Sequence, residues 1–182
     1  MILGITGTNG SGKGTVVEYL LAKGFTHYSA RAFIGEEIER RGLPLERPSF
    51  KKTADSLRQA HGPSYIIERL FAQAQADGGD AVIESIRELA GAHFLRAHGA
   101  KLLAVNADQK LRYERTVQRG SHTDQVDFKT WVTQEEAEWH NEAAHELDVP
   151  GVMALADAVI MNNGTREELR AQVDAALRQL TK

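Results

Sequence analysis

The chain alternates between short apolar runs and longer amphipathic ones. Five runs are short and apolar: 1–6 (Met-Ile-Leu-Gly-Ile-Thr), 25–29 (Phe-Thr-His-Tyr-Ser), 81–83 with Glu84 at its end, 101–106 (Lys-Leu-Leu-Ala-Val-Asn) and 157–162 (Asp-Ala-Val-Ile-Met-Asn). Runs of this length, mostly rich in β-branched residues, predict buried strands. Between them the apolar positions recur at helical spacing. Helices are predicted over 13–23, 31–41, 50–61, 64–77, 88–98, 108–119, 133–146 and from Thr165 to the end, with a connector or single turn at 150–156. Phe33, Ile34 and Ile38 line one side of the second helix, and Ile66, Ile67, Leu70 and Phe71 stripe the fourth. Gly24, Gly42 with Pro44, Gly62-Pro63 and Gly120 punctuate the pattern, and Asp108 is placed to cap. Thr133-x-x-Glu136 and Thr165-x-x-Glu168 read as capping boxes that open helices. Residues 43–49 and 120–132 read as irregular.

Strands alternating with helices predict an α/β fold: five parallel strands with helices on both faces. Ligands in such sheets bind at the carboxyl ends of the strands. The residues able to do chemistry collect there: the glycine-rich stretch 7–15, then Ser29, Glu84 with Arg87, Asn106 with Asp108, and Asn163-Gly-Thr165.

The stretch 7–15 reads Gly-Thr-Asn-Gly-Ser-Gly-Lys-Gly-Thr, between a predicted strand and a predicted helix. Gly7-x4-Gly12-Lys13 is the spacing of a phosphate-binding loop in the context that loop requires. A polyphosphate needs many donors in a small space, and consecutive backbone N–H groups supply them where no side chain blocks the approach. The helix starting there turns its positive end toward the anion. Lys13 adds a mobile charge that can follow the β- and γ-phosphates, and Thr15 a hydroxyl. The position after the lysine, commonly Ser or Thr in contact with Mg²⁺, is Gly14.

Composition narrows the field. The 182 residues suit one domain, 42% are hydrophobic, and the net charge of −3 gives no bulk attraction to nucleic acid or anionic membrane. With no cysteine, disulfides, thiolate catalysis and cysteine-based zinc sites are excluded. His93 and His98, and His140 and His145, are five apart rather than four, so no helix-face metal pair arises. No apolar run approaches the roughly 20 residues of a membrane span, and the first strand leaves no room for a leader, so a cytoplasmic protein is expected.

On three segments the chain resembles the nucleoside monophosphate kinase branch of the P-loop kinases, and within it the adenylate-kinase-like and dephospho-CoA-kinase-like proteins. Gly7–Thr15 carries the Gly-Lys-Gly-Thr ending of that group. Val82-Ile-Glu-Ser-Ile-Arg87 is similar to the family's apolar-apolar-Asp-Gly-x-x-Arg, and Ala156-Asp-Ala-Val-Ile-Met-Asn-Asn-Gly-Thr165 to its Ala-Asp-x-x-Ile-x-Asn-x-Gly-Thr. The resemblance implies a P-loop NTPase fold in a single domain, 1–182, with a helical acceptor-binding insert at about 31–77 and a short lid at about 120–147. It implies ATP and Mg²⁺, with phosphoryl transfer to a small phosphorylated acceptor, and neither nucleic acid nor membrane as partner. Gly7, Asn9, Gly10, Ser11, Gly12, Lys13, Gly14 and Thr15 would hold the donor phosphates, and Asn163 with Gly164 would lie beside the donor base. Lys13, Arg87, Arg115 and Arg119 would be catalytic; Arg87, Arg31 and Arg58 would meet the acceptor. Glu84 stands where the family has an aspartate that orients Mg²⁺ through water, with the same charge and a longer reach. In that group Mg²⁺ is held mainly by phosphates and water, so no direct metal ligand is carried over.

Structural roles are open to the same residues. Glu84 is placed to cap helix 88–98, Arg87 to form a surface ion pair, Thr165 to cap, and Arg112, Arg115 and Arg119 to form a solvated face; Arg31 and Arg58 suit solvent equally. Trp131 and Trp139 are spaced for packing, and Glu135, Glu136 and Glu138 read as an exposed helix start. Dephospho-CoA kinases carry an aspartate after the second strand as a base, whereas Tyr28-Ser-Ala-Arg-Ala32 has no acid. A monophosphate is already a nucleophilic anion and needs no base. The favoured acceptor is therefore a nucleoside or deoxynucleoside monophosphate. A dephospho-CoA kinase-like activity, or an ATP-binding switch or slow ATPase, are the alternatives. No Asn-Lys-x-Asp guanine motif is present.

Overall fold

The computed structural model describes residues 1–120, 126–137, 139 and 147–181. Five strands form one parallel sheet: β1 Ile2–Gly7, β2 Thr26–Ser29, β3 Ala81–Glu84, β4 Lys101–Asn106 and β5 Ala158–Met161. Their order across the sheet is β2-β3-β1-β4-β5. The predicted sheet is present, and β1 lies at its centre between β3 and β4. The registers Ile5 opposite Glu84 and Gly7 opposite Val105 bring the ends of three strands to one edge.

Alternation along each strand splits the core in two, as a sheet covered on both faces requires. Leu3, Ile5, Val82, Leu103, Val105 and Ile160 face α1 (Lys13–Ala22) and α9 (Arg166–Leu180). Tyr28, Ala81, Ile83 and Leu102 face the other layer. That layer is built from α2 (Ala30–Arg40), α3 (Arg47–His61), α4 (Tyr65–Asp77), α5 (Leu89–Ala97) and α8 (Val149–Ala154). Three of these helices, α2 to α4, sit between β2 and β3. On the far side α6 (Gln109–Gln118) leads toward α7 (Phe128–Ala137). No helix among the described residues is long and apolar enough to cross a membrane.

The capping box at Thr165 forms as the pattern predicts, with Thr165 and Glu168 bonded reciprocally. The one at Thr133 does not. Helix α7 starts at Phe128, and Thr133 lies inside it with its hydroxyl donating to the Lys129 carbonyl at 3.1 Å. The cap is Asp127, whose carboxylate accepts from the Thr130 amide at 3.0 Å and from the Thr130 hydroxyl at 2.6 Å. The aromatic residues decide the start: Phe128 and Trp131 pack on Tyr113 of α6, so the helix must already be formed there. Glu135 is accordingly buried rather than exposed. Asp108 stands at the α6 N-cap position, but its side chain makes no cap bond. Glu88, not Glu84, occupies the N-cap of α5. Much of the expected lid, including Glu138, His140 and His145, lies outside the described residues.

Candidate functional site

The turn from β1 into α1 is built by close approach. Gly7 and Gly12 both have positive φ, 138° and 95°. A side chain on Gly7 would run into the Val105 carbonyl of β4, and one on Gly12 into the Asn162 amide. Gly10 backs onto the Arg112 carbonyl. The neighbouring strands tie the loop down. Asn162 donates to the Ser11 carbonyl at 2.8 Å, while its own N–H donates to the Asn106 carbonyl at 2.8 Å. Asn106 accepts from the Thr8 hydroxyl at 2.8 Å.

The helix that follows is left open at its start. Gly12 caps α1 without a side-chain bond, and no acidic residue occupies the first turn. Its first amides and its dipole are thus not offset by a cap or an acidic side chain of that turn, which is the condition for anion binding. Ser11 adds a buried hydroxyl with no hydrogen-bond partner among the described residues. Thr15 is half-buried on the first turn. Gly14 is exposed, and a Cβ there would meet nothing.

Lys13 folds back on the loop, donating to the carbonyls of Gly7 at 2.8 Å and Thr8 at 2.7 Å. The residue as a whole is half-buried, but its ammonium is enclosed. Burial lowers its pKa to about 7, helped by the charges of Arg87, Arg119 and Arg112 and opposed by Glu84. The charges of these four side chains thus act at one point, the Lys13 ammonium.

Glu84 and Arg87 reach that point through a bend at the end of β3. Ser85 is the one non-glycine among the described residues with positive φ, 72°. The amides of Ser85 and Ile86 both donate to the Ile5 carbonyl at 3.1 Å, and Ile86 is fully buried. The bend is thus pinned between β1 and the core, and Arg87 emerges half-buried, with its charge acting on Lys13. Its guanidinium makes no hydrogen bond or ion pair among the described residues. Glu84 is held by His27 of β2, with Nε2 and Oε2 3.0 Å apart.

The α6 arginines divide their work. Arg115 donates to the Asn162 carbonyl at 2.9 Å, and exposed Arg119 to Oδ1 of Asn9 at 3.3 Å. Arg112 is buried; it donates to the carbonyls of Ala107 at 3.0 Å and Asn9 at 3.2 Å, and grips both oxygens of Glu135. Its guanidinium also lies 5.2 Å from the Trp131 ring centre. It joins the phosphate loop to α7.

The other expected site residues are more scattered. Arg58 is nearly buried in an ion pair with Glu88, beside Asp55. Burial pushes the Glu88 carboxyl up, against the pull of Arg58. Arg31 is exposed and stacks on Phe50 at 4.2 Å. Asn163 is exposed and accepts from the Asp108 amide at 2.8 Å, with Gly164 next to it. A cavity of about 450 Å³ is lined by Phe33, Arg69, Ala72 and Gln73 of α2 and α4; Arg31, Arg58 and Arg87 do not line it. Sequence reasoning missed His27, Asn162 and Glu135, and passed over Arg112. For Asn162 a signal existed, the asparagine ending the fifth apolar run. His27 and Glu135 meet partners 57 and 23 residues away, which no local pattern displays.

A central parallel sheet, a glycine loop closed by neighbouring strands and an open helix start with a buried lysine define a P-loop nucleotide-binding domain of the kinase type. A family model described as an AAA domain matches residues 3–141. UPF0200 protein TK1334 of Thermococcus kodakarensis is 32% identical over 180 residues, covering 95% of this chain and 94% of that protein. The chain carries the AAA domain and belongs to the UPF0200 family. Among solved structures, TT1252 from Thermus thermophilus superposes with a TM-score of 0.67 at 21% identity, covering 100% of this chain and 98% of that one. Shikimate kinase from Acinetobacter baumannii, in complex with shikimate, gives 0.62 at 14% identity over 99% and 92%. At these identities the likeness establishes the fold.

Proposed function

We propose that the chain transfers the γ-phosphoryl group of ATP to a small phosphorylated acceptor, a nucleoside or deoxynucleoside monophosphate. The observation that carries this reading is the pairing of Lys13 with Arg87. Arg87, extending from the next strand, is the foremost charge acting against the Lys13 ammonium, which the loop encloses. Like charges so placed are costly in the empty protein and become favourable when anions lie between them. Lys13 would follow the donor phosphates, and the guanidinium fork of Arg87 would fix the acceptor phosphate for in-line attack. Phosphoryl transfer asks mainly for this positioning and neutralisation.

The open start of α1, the unpartnered Ser11 hydroxyl and the clear space at Gly14 fit a nucleotide phosphate chain. ATP with Mg²⁺ would supply the activated phosphoryl group and a cation to offset its charge. Glu84 would orient that cation through water. Arg115 and Arg119 would face the donor from the lid side, with Asn163 and Gly164 near its base. Arg31 and Arg58, on α2 and α3, belong to the helices we assign to the acceptor.

A second reading keeps the donor end and changes the acceptor. A hydroxyl acceptor, as in a dephospho-CoA kinase-like reaction, needs a base. Glu84 is the carboxylate whose charge acts on Lys13, and His27 holds it in place. A coupled ADP-release assay over nucleoside and deoxynucleoside monophosphates and dephospho-CoA separates the readings, with Lys13→Ala as control. Monophosphate-stimulated turnover is expected. Turnover on dephospho-CoA alone selects the second reading, and acceptor-independent turnover selects a slow ATPase or switch.

A further inference from the structure

The residue that stands in for the family aspartate is a glutamate, and a glutamate brings an extra rotatable bond. Each added rotor lowers the fraction of time a carboxylate spends in one working position. Some group must restrict Glu84 if it is to act as a shorter acid would. Lys13 does not, because its ammonium is bonded to the Gly7 and Thr8 carbonyls. Arg87 makes no bond to it.

The restraint comes from the next strand. In the parallel pair β2–β3, His27 lies opposite Val82 and Ser29 opposite Glu84. His27 and Glu84 therefore share a face of the sheet as diagonal neighbours, a spacing that long side chains can bridge. His27 Nε2 lies 3.0 Å from Glu84 Oε2, with the two side chains 28% and 21% exposed. A carboxylate only accepts, so the bonded nitrogen carries the proton. The bond engages Oε2 and leaves Oε1 without a protein partner among the described residues. It also spans the carboxyl edge of the sheet beside the loop, where Glu84 opposes the cations around Lys13.

We infer that His27 is a positioning residue for this site: by bonding one oxygen of Glu84 it fixes the carboxylate, leaves the other oxygen available and makes the longer acid serve as an aspartate would. The inference rests on the reading that Glu84 orients Mg²⁺ through water. Partners that orient a direct metal ligand typically change affinity by about 10–100-fold when removed, and His27, acting on a carboxylate that reaches the metal through water, belongs at the lower end of that range.

The test reads Mg²⁺ binding rather than turnover. ADP affinity is titrated by calorimetry against Mg²⁺ concentration, and again in EDTA, for wild type, His27→Ala, His27→Gln, Glu84→Gln, Glu84→Asp and His27→Ala/Glu84→Asp. His27→Ala is expected to raise the Mg²⁺ midpoint about tenfold, at the lower end of that range, and to leave ADP affinity in EDTA unchanged. Glutamine retains a donor and should return the midpoint to within about threefold of wild type. The double variant should bind Mg²⁺ better than His27→Ala alone, because the shorter acid needs no tether. Glu84→Gln should raise the midpoint at least as far as His27→Ala. If Glu84→Gln shifts the midpoint and His27→Ala does not, the inference is wrong and the role of Glu84 stands. If Glu84→Gln leaves it unmoved, both are wrong. A loss of ADP affinity in EDTA with His27→Ala would mean a structural effect and would likewise overturn the assignment. His27→Gln, which preserves size and donor, guards against a variant that only unfolds.

Discussion

Removing Arg112 should loosen the protein more than removing any exposed arginine. Its side chain is 4% exposed and that of Glu135 6% exposed, so neither charge can turn to water. Replacing Arg112 by Met keeps the apolar stem over Trp131 but strips Glu135 of both its bonds and removes the donor to the Asn9 and Ala107 carbonyls. Breaking one side of a buried ion pair costs about 3–5 kcal/mol. The total stability of a domain is about 5–15 kcal/mol, so the loss is a large share of it. Deleting both charges is different. An apolar pair of similar volume removes the desolvation cost along with the attraction, so Arg112→Met/Glu135→Leu should lie within about 2 kcal/mol of wild type. With each single variant costing about 3–5 kcal/mol and the double at most about 2, the coupling energy from the four-variant cycle should be at least about 4 kcal/mol. Urea unfolding followed by tryptophan fluorescence reports on Trp131 directly, with far-UV circular dichroism as the second probe. A cost below about 1 kcal/mol for Arg112→Met, or a double variant no more stable than the single one, would refute the view of this pair as the join between the loop and α7.

Two further outcomes follow from the same site. The folded pKa of Lys13, about 7, lies below its ordinary 10.5, so between these values the unfolded chain holds the extra proton and the ligand-free protein gains stability as pH rises through that window. A bound polyphosphate should restore the charge: ATP binding at pH 8 should take up about one proton, seen by calorimetry in two buffers of different ionisation enthalpy, and zero uptake would overturn the assignment of Lys13 to the phosphates. Ser85 holds a left-handed backbone that costs an L-residue about 1–2 kcal/mol, partly offset against glycine's greater freedom when unfolded, so Ser85→Gly should add about 0.5–1 kcal/mol. The melting temperature should then rise by about 1–4 °C, and a fall would show that the serine side chain contributes there.

The loop geometry was legible because its signals are local. Gly7, Gly12 and Lys13 lie in one short stretch, and the close approaches at the two glycines and the fold-back of Lys13 are each set by residue type. The sheet was legible for the same reason, since each strand is a short apolar run between punctuation. Failures came where a partner from elsewhere decides the outcome. Thr133-x-x-Glu136 satisfies the capping-box pattern, yet the packing of Phe128 and Trp131 on α6 begins the helix earlier and turns Glu135 inward onto Arg112. Arg112, Arg115 and Arg119 look alike along the chain. Only their places on α6 relative to the loop make one a buried joint, one a bond to the Asn162 carbonyl and one an exposed contact to Asn9.

The acceptor half follows a different logic. Its arginines sit on separate elements, and they differ in what already holds them. Arg58 is committed to Glu88, and Arg31 rests on Phe50. To take an acceptor phosphate, Arg58 would have to leave a buried partner that would then be stranded, at a cost comparable to the binding it supplies. Arg31 would give up only a stacking contact of about 0.5–1 kcal/mol at an exposed site. Arg87 gives up nothing of either kind among the described residues, and its charge already acts on Lys13. On the proposed reading the first acceptor contact would therefore fall to Arg87, with Arg31 free to follow. The Arg58–Glu88 pair would stay in place, joining α3 to the start of α5.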